Sequence, residues 1–167
     1  TYTAGAYSFT DLAFPALLEI GTPVSFASDT DTVFAANGGD IIYSDGTTTT
    51  AVLSGGGNAP TGVTHIAILD GYLLANKTGE YRIYYSNVLD PFTWTSGERF
   101  SAVGNSDNAT SFIVHNREIY ILGPQTIEIW ENDGTTPFSR ISRGFIETGA
   151  IAPYSVLKTE NGLFWLN

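Results

Sequence analysis

The sequence predicts an all-β, β-propeller-like fold built from four-stranded antiparallel blades. Charged residues make up only 14% of the 167 residues, while glycine, threonine and aromatic residues are abundant, and this composition favours strands and turns over helices. Short apolar segments separated by polar turns also recur along the chain. The recurrence has a period of roughly 40–46 residues, which is typical of a propeller blade.

Each repeat begins with two apolar strands joined by a polar turn. The turns contain pairs such as Asp70-Gly71 and Asn161-Gly162, which are typical of tight hairpins. Apolar residues occupy both alternating positions in residues 66–69 and in residues 163–166, which predicts strands that are buried on both faces. The second strands are predicted at residues 33–36, 72–75, 119–122 and 163–166.

A third strand and a characteristic loop complete the pattern. The third strands end in aromatic residues, Tyr43, Tyr85 and Trp130, which are 42 and 45 residues apart. The loops after the last two of these strands share a Pro-Phe pair, at Pro91-Phe92 and Pro137-Phe138. Fourth strands are predicted at residues 48–53, 99–103 and 138–142.

The repeats divide the chain into an N-terminal segment, three blades and the first half of a further blade. These parts are predicted at residues 1–23, 24–62, 63–108, 109–152 and 153–167. Because closed propellers typically have at least about four blades, the count predicts an incomplete propeller within a longer polypeptide. The absence of methionine agrees with that expectation. A β-sandwich is the alternative fold, although it does not require a regular repeat.

Charge and composition limit the classes of partner. The chain carries 7 basic and 17 acidic residues, giving a net charge of −10. Since nucleic-acid binding depends on neutralising phosphates with Lys and Arg, we expect no direct, sequence-specific contact with nucleic acid. No apolar stretch is long enough to span a bilayer, so no membrane partner is expected. The chain has no cysteine, which excludes disulfides and thiolate metal sites.

The sequence predicts no catalytic, cofactor-binding or metal-binding residue. His65 and His115 are the only histidines and occupy different positions within the repeat, so we interpret them as hydrogen-bonded strand residues. The segment Asp29-Thr30-Asp31 begins like a calcium loop, but Val33 stands at a ligand position. We therefore interpret it as a turn and expect a protein that is not an enzyme.

Three stretches resemble a known family. They are QTIEIW at residues 125–130, RGFIETGAIAPYSV at residues 143–156 and NGLFWL at residues 161–166. They are similar to the packaged-DNA stabilisation proteins of short-tailed phages, also called tail hub or tail accessory proteins. The resemblance covers about residues 60–167 and implies a propeller-containing virion protein without catalytic residues or cofactors.

The resemblance also implies a place in the virion. Proteins of this family assemble as a homo-oligomeric ring below the portal and its adaptor, receive the tail needle or tailspike, and help to retain packaged DNA. It therefore implies location in the virion tail, after assembly in the cytoplasm of the bacterial host. Because loops on rigid scaffolds carry binding, we predict protein contacts at Pro91, Phe92, Asp133 and Gly134.

Two alternative functions remain open. A carbohydrate-binding or glycan-processing propeller would place exposed aromatic residues and paired carboxylates at one end of the blades. A bacterial surface or adhesion repeat module would share the fold but differ in its genomic neighbours. The aromatic residues of the strands are expected mostly to pack in the core.

Overall fold

The computed structural model describes residues 21–46, 51–53, 57–102, 104, 107–134 and 136–167. Within these ranges the chain forms fourteen β-strands and no α-helix, so the predicted all-β class is confirmed. No helix there is long and apolar enough to cross a membrane. Most of the predicted N-terminal segment, together with residues 48–50 of the first predicted fourth strand, lies outside the described residues.

Three four-stranded antiparallel sheets and one hairpin, here called blades 1 to 4, follow one another along the chain. Blade 1 contains β1 (Ser25–Ser28), β2 (Val33–Ala36), β3 (Ile42–Ser44) and β4 (Ala51–Val52). Blade 2 contains β5 (Ile66–Leu69), β6 (Tyr72–Asn76), β7 (Arg82–Tyr85) and β8 (Arg99–Ser101). Blade 3 contains β9 (Ser111–His115), β10 (Glu118–Leu122), β11 (Ile127–Glu131) and β12 (Ser139–Ile146). Blade 4 is the hairpin of β13 (Leu157–Thr159) and β14 (Gly162–Phe164).

Strands that are neighbours in sequence are also neighbours in each sheet, which confirms the predicted propeller-like blades. Tight turns make this order possible. In the turn between β5 and β6, Asp70 and Gly71 have φ angles of 50° and 83°, the left-handed pair that a two-residue hairpin requires. Asn116 and Arg117 form the matching turn between β9 and β10, with φ angles of 50° and 66°.

Blade 2 is buried on both faces, as the sequence predicts. The same prediction is wrong for residues 163–166, where Phe164 and Leu166 are each 64% exposed. Ile66 and Ile68 pack in the core shared with blade 1, whereas Ala67 and Leu69 pack in the core shared with blade 3. A strand of this kind cannot show the apolar–polar alternation of a half-exposed strand. Burial between neighbouring blades therefore explains the apolar runs in the sequence.

The repeated Pro-Phe pair connects each blade to the one before it. Phe92 lies in the loop after β7 and packs back onto blade 1, with ring centroids 5.9 Å from Phe34 and 4.8 Å from Tyr43. Phe138 lies in the corresponding loop of blade 3 and contacts three rings of blade 2. These rings, Tyr72, Tyr85 and Phe100, lie at centroid distances of 5.3, 5.2 and 5.0 Å. The pair is therefore an aromatic contact between blades.

Trp130 packs toward a different neighbouring blade from Tyr85, although the two residues occupy the same place in the sequence repeat. Tyr85 pairs with Leu74, and both pack toward blade 3. Trp130 pairs with Ile119 and packs toward blade 2, with its ring 4.8 Å from Phe100. Tyr85 is opposite the third residue of β6, whereas Trp130 is opposite the second residue of β10. The two pairings therefore differ by one residue, and a shift of one residue turns a side chain to the other face of the sheet.

The first strands of the blades surround a common axis. β1 contacts β5, and β5 contacts β9. The Ser25 hydroxyl links the first two of these strands, because its Oγ accepts a hydrogen bond from the Ile66 amide at 3.0 Å. Residues of β1, β5, β9 and β13 line a cavity of about 460 Å³. This convergence of innermost strands is the arrangement of a propeller around its central channel.

Candidate protein-interaction surface

The loops that the sequence singles out lie at one end of the blades, here called the turn end. In an up-and-down antiparallel blade, the turn after the first strand and the loop after the third strand leave from the same end. One contact within blade 2 and one between blades 2 and 3 confirm that these ends coincide. The Leu89 amide donates to the Gly71 carbonyl at 2.8 Å, and the Asn132 amide group donates to the Asp70 carboxylate at 3.0 Å.

The loop after β7 is ordered by its own hydrogen bonds. The Asn87 amide donates to the Thr93 carbonyl at 2.8 Å, and the Phe92 amide donates to the Asp90 carboxylate at 3.2 Å. The buried Trp94 indole donates to the Pro91 carbonyl at 3.1 Å. A loop held in this way loses little conformational freedom on binding, which favours association.

The first pair of predicted contact residues divides between core and surface. Pro91 is buried, whereas Phe92 keeps 44% of its surface exposed although its ring packs on blade 1. The second pair lies on the exit loop of blade 3, where Asp133 and Gly134 are both exposed. The structure thus places both pairs at the turn end, on different loops, and their role in protein contacts stays a prediction.

Asp70 joins the turn ends of blades 2 and 3. Its carboxylate lies 2.9 Å from the Arg117 guanidinium and also accepts the hydrogen bond from Asn132. The Asp133-Gly134 loop is ordered beside it, because the Gly134 amide donates to the Asn132 side-chain oxygen at 3.1 Å. Sequence reasoning missed this link. The only signal was a pair of oppositely charged turn residues one repeat apart.

Val88 and Leu89 are the most prominent feature that sequence reasoning missed. Leu89 is 84% exposed and Val88 is 53% exposed, although both lie in the ordered loop after β7. Leu89 has a φ angle of 57°, an uncommon conformation for a leucine. An exposed apolar tip on an ordered loop is typical of a surface that binds another protein.

His65 lines the central cavity, just before β5. The buried Asn76 side chain positions it by accepting hydrogen bonds from the Thr64 and His65 amides at 3.1 and 2.9 Å. The imidazole stacks on Tyr154 with centroids 4.7 Å apart and bonds to the Pro153 carbonyl. It therefore ties blade 2 to the segment that leads into blade 4. The predicted hydrogen bonding of His65 is confirmed, although the residue stands just before the strand rather than in it.

Burial lowers the pKa of His65 from 6.5 to about 4, more than the hydrogen bond to Pro153 raises it. Between these values the unfolded chain binds the proton more readily, so stability is expected to fall as the pH falls from 6.5 to 4. The loss should reach up to about 3 kcal/mol. Urea unfolding at pH 7 and pH 4.5 should show this slope in the wild type and in His115→Gln. The loss of stability between the two pH values should be smaller in His65→Gln. An equal loss in that variant would contradict the conclusion that burial of His65 causes it.

The residues that carry the family resemblance make internal contacts. Glu128 is buried, and its carboxylate accepts hydrogen bonds from the Gly104 amide at 2.6 Å and the Trp130 indole at 3.0 Å. The Asp107 carboxylate accepts bonds from the amides of Gln125 and Thr126 at 2.7 and 2.9 Å, which fixes the turn before β11. These carboxylates satisfy backbone and ring donors of the same blade, including the amide of the buried Thr126, so the motif stabilises blade 3.

The described residues contain no group of three or more His, Asp or Glu side chains placed to hold a metal ion. The buried carboxylate of Glu128 and the turn carboxylate of Asp70 are both occupied by hydrogen-bond donors of the chain itself. What the turn end offers is a set of ordered loops with exposed apolar and acidic side chains.

Comparison with known proteins relates the chain to one family and to several solved folds. A sequence profile described as bacteriophage P22 Gp10, β-propeller, matches residues 17–167. The crystal structure of the computationally designed Ika4 protein is similar with a TM-score of 0.52 at 13% identity, covering 91% of this chain and 96% of Ika4. That of the designed Ika8 protein has a TM-score of 0.53 at 14% identity, covering 85% of this chain and 45% of Ika8. At these identities the likeness concerns the fold alone. A comparison with curated proteins found no match.

Proposed function

Because the chain belongs to the bacteriophage P22 Gp10 β-propeller family of packaged-DNA stabilisation proteins, we propose that it is a non-enzymatic component of the phage tail hub. Membership makes it a structural protein of the phage virion. In the proposed role it joins the portal and its adaptor to tail parts and helps to retain packaged DNA. Assembly takes place in the cytoplasm of the bacterial host.

The turn end is the observation that carries this proposal. Its loops are fixed by internal hydrogen bonds and by the link from Asp70 to Arg117, and they present Leu89, Phe92 and Asp133 outward. Rigid loops with exposed apolar groups favour contact with other proteins, since little conformational entropy is lost on binding. The proposed partners are the portal and adaptor, the tail needle or tailspike, and further copies of the chain in a ring.

In this role, retention of DNA works through protein contacts that close the exit. The net charge of −10 opposes close approach to a phosphate backbone. A mechanical seal needs no basic surface, whereas direct binding of DNA would. An acidic component therefore fits a plug better than it fits a DNA clamp.

Native mass spectrometry of the protein mixed with the portal–adaptor complex of its own phage tests the proposal. We expect a stable complex that is weakened by Phe92→Ser or Asp133→Lys. The matched control is Tyr81→Ser at the opposite end of blade 2, because Tyr81 is 37% exposed and Phe92 is 44% exposed. No association of the wild type would refute the tail hub role, and equal loss in the control would refute the turn end as the contact surface.

A further inference from the structure

A slot at the turn end lies between the β1–β2 turn and part of the loop after β7. Its volume is about 280 Å³, and it opens between the β1–β2 turn and Leu89. Ile68 and Leu73 contribute to its apolar lining, Leu89 and Pro91 form an apolar wall from the loop after β7, and Asp29 lines it from the β1–β2 turn. The slot therefore combines an apolar interior with a carboxylate at its edge.

The apolar wall of the slot is fixed in place. Leu89 lies so close to the backbone of Gly71 that a Cβ atom added there would stand 2.7 Å from the leucine Cδ2. The Leu89 amide is also hydrogen-bonded to the Gly71 carbonyl at 2.8 Å. Since Leu89 is nevertheless 84% exposed, a partner that covers it gains apolar burial without first ordering the loop.

The carboxylate at the edge is available to a cation. One oxygen of Asp29 accepts a hydrogen bond from the Thr30 amide, and the Asp29 side chain is exposed. The ion pairs among the described residues involve Glu80, Asp70 and Glu128, and none involves Asp29. Asp90, beside Leu89 in the sequence, adds a second negative charge to this region and likewise has no ion pair among those residues.

We propose that this slot receives an arginine or lysine side chain of a partner protein. The aliphatic stem packs against Leu89 and Pro91 while the cationic end meets the Asp29 carboxylate. Arginine and lysine suit such a site because they bury an apolar stem and keep a charged end near water. The inference rests on the proposed function, in which the turn end docks a protein, and it adds the chemistry that the partner must present.

A small probe tests the slot without a partner. Titration of the ¹⁵N-labelled protein with n-butylguanidinium should shift the amide signals of Asp29, Thr30, Gly71 and Leu89, with affinity in the millimolar range. The neutral analogue n-butylurea should shift them far less, and Asp29→Asn should weaken the guanidinium response about tenfold, or about 1.4 kcal/mol. Absence of localised shifts, or equal shifts with the urea, would overturn the proposal.

Binding to the portal–adaptor complex separates this inference from the proposed function. Leu89→Ser and Asp29→Asn should each weaken binding about tenfold, whereas Glu147→Gln should leave it unchanged, because the exposed Glu147 follows β12 at the opposite end of the blades. Wild-type binding that neither substitution alters would refute the slot and leave the tail hub role intact. If the wild type does not bind, the tail hub role fails, and the guanidinium titration alone decides whether the slot takes a basic side chain.

Discussion

Replacing Phe138 by alanine is expected to lower the free energy of unfolding by about 3–5 kcal/mol. Phe138 is only 6% exposed, and its ring fills the space between blades 2 and 3 against Tyr72, Tyr85 and Phe100. The truncation removes these contacts and leaves a cavity that three large rings cannot easily fill. Urea unfolding followed by tryptophan fluorescence measures the change.

Phe92→Ala is the matched control for that substitution, because Phe92 occupies the same place in the preceding repeat. Its ring packs on Phe34 and Tyr43 but remains 44% exposed, so the expected loss is only about 1–2 kcal/mol. Equal losses for the two variants, or a loss below about 1 kcal/mol for Phe138→Ala, would contradict the account of how the blades are held together.

Gly149→Ala is expected to destabilise the protein by about 3 kcal/mol or more. A Cβ atom at this position would collide with backbone atoms of Gly123, Pro124 and Gln125 in the turn before β11. That turn cannot move away easily, because the Ala150 amide donates to the Gly123 carbonyl at 2.9 Å. The Trp165 indole also bonds to the Gly149 carbonyl at 3.2 Å, so blade 4 should loosen together with the turn.

Gly57→Ala provides the control for this effect, because nothing lies within 4 Å of a Cβ added at Gly57. Its stability should stay within about 0.5 kcal/mol of the wild type. Thermal and urea unfolding of both variants measure the difference. A Gly149→Ala protein as stable as the Gly57→Ala control would show that the close packing of Gly149 on the turn before β11 is absent in solution.

The blades were predictable because their signals are local. Strand, turn and period can each be read within about 45 residues, and the Asp70-Gly71 turn has the conformation that its residue types favour. The length of β12 was harder to predict, since it continues to Ile146 rather than ending near residue 142. A shift in the register of β11 and β12 accompanies this extension, with Arg143 in the left-handed region at a φ of 67°.

Features that depend on how blades meet were not predictable from one repeat. Trp130 matches Tyr85 in the sequence pattern, yet Trp130 packs toward the preceding blade and Tyr85 toward the following one. The reason is that the strand registers of the two blades differ by one residue. The slot beside Leu89 requires the β1–β2 turn of one blade and the exit loop of the next. The family motif was informative for another reason: Glu128 of the motif accepts hydrogen bonds inside blade 3, and Asp107 fixes the motif residues Gln125 and Thr126, so the motif indicates the fold while the predicted contact residues lie elsewhere.

Hydrogen–deuterium exchange of the protein with and without the portal–adaptor complex of its phage tests the central claim most directly. The account predicts slower exchange in residues 86–95, 132–134 and 136–138 at the turn end, and no change in residues 77–80 at the opposite end of the blades. Unchanged exchange throughout, or protection confined to residues 77–80, would contradict the claim that the chain acts in the virion through its turn end.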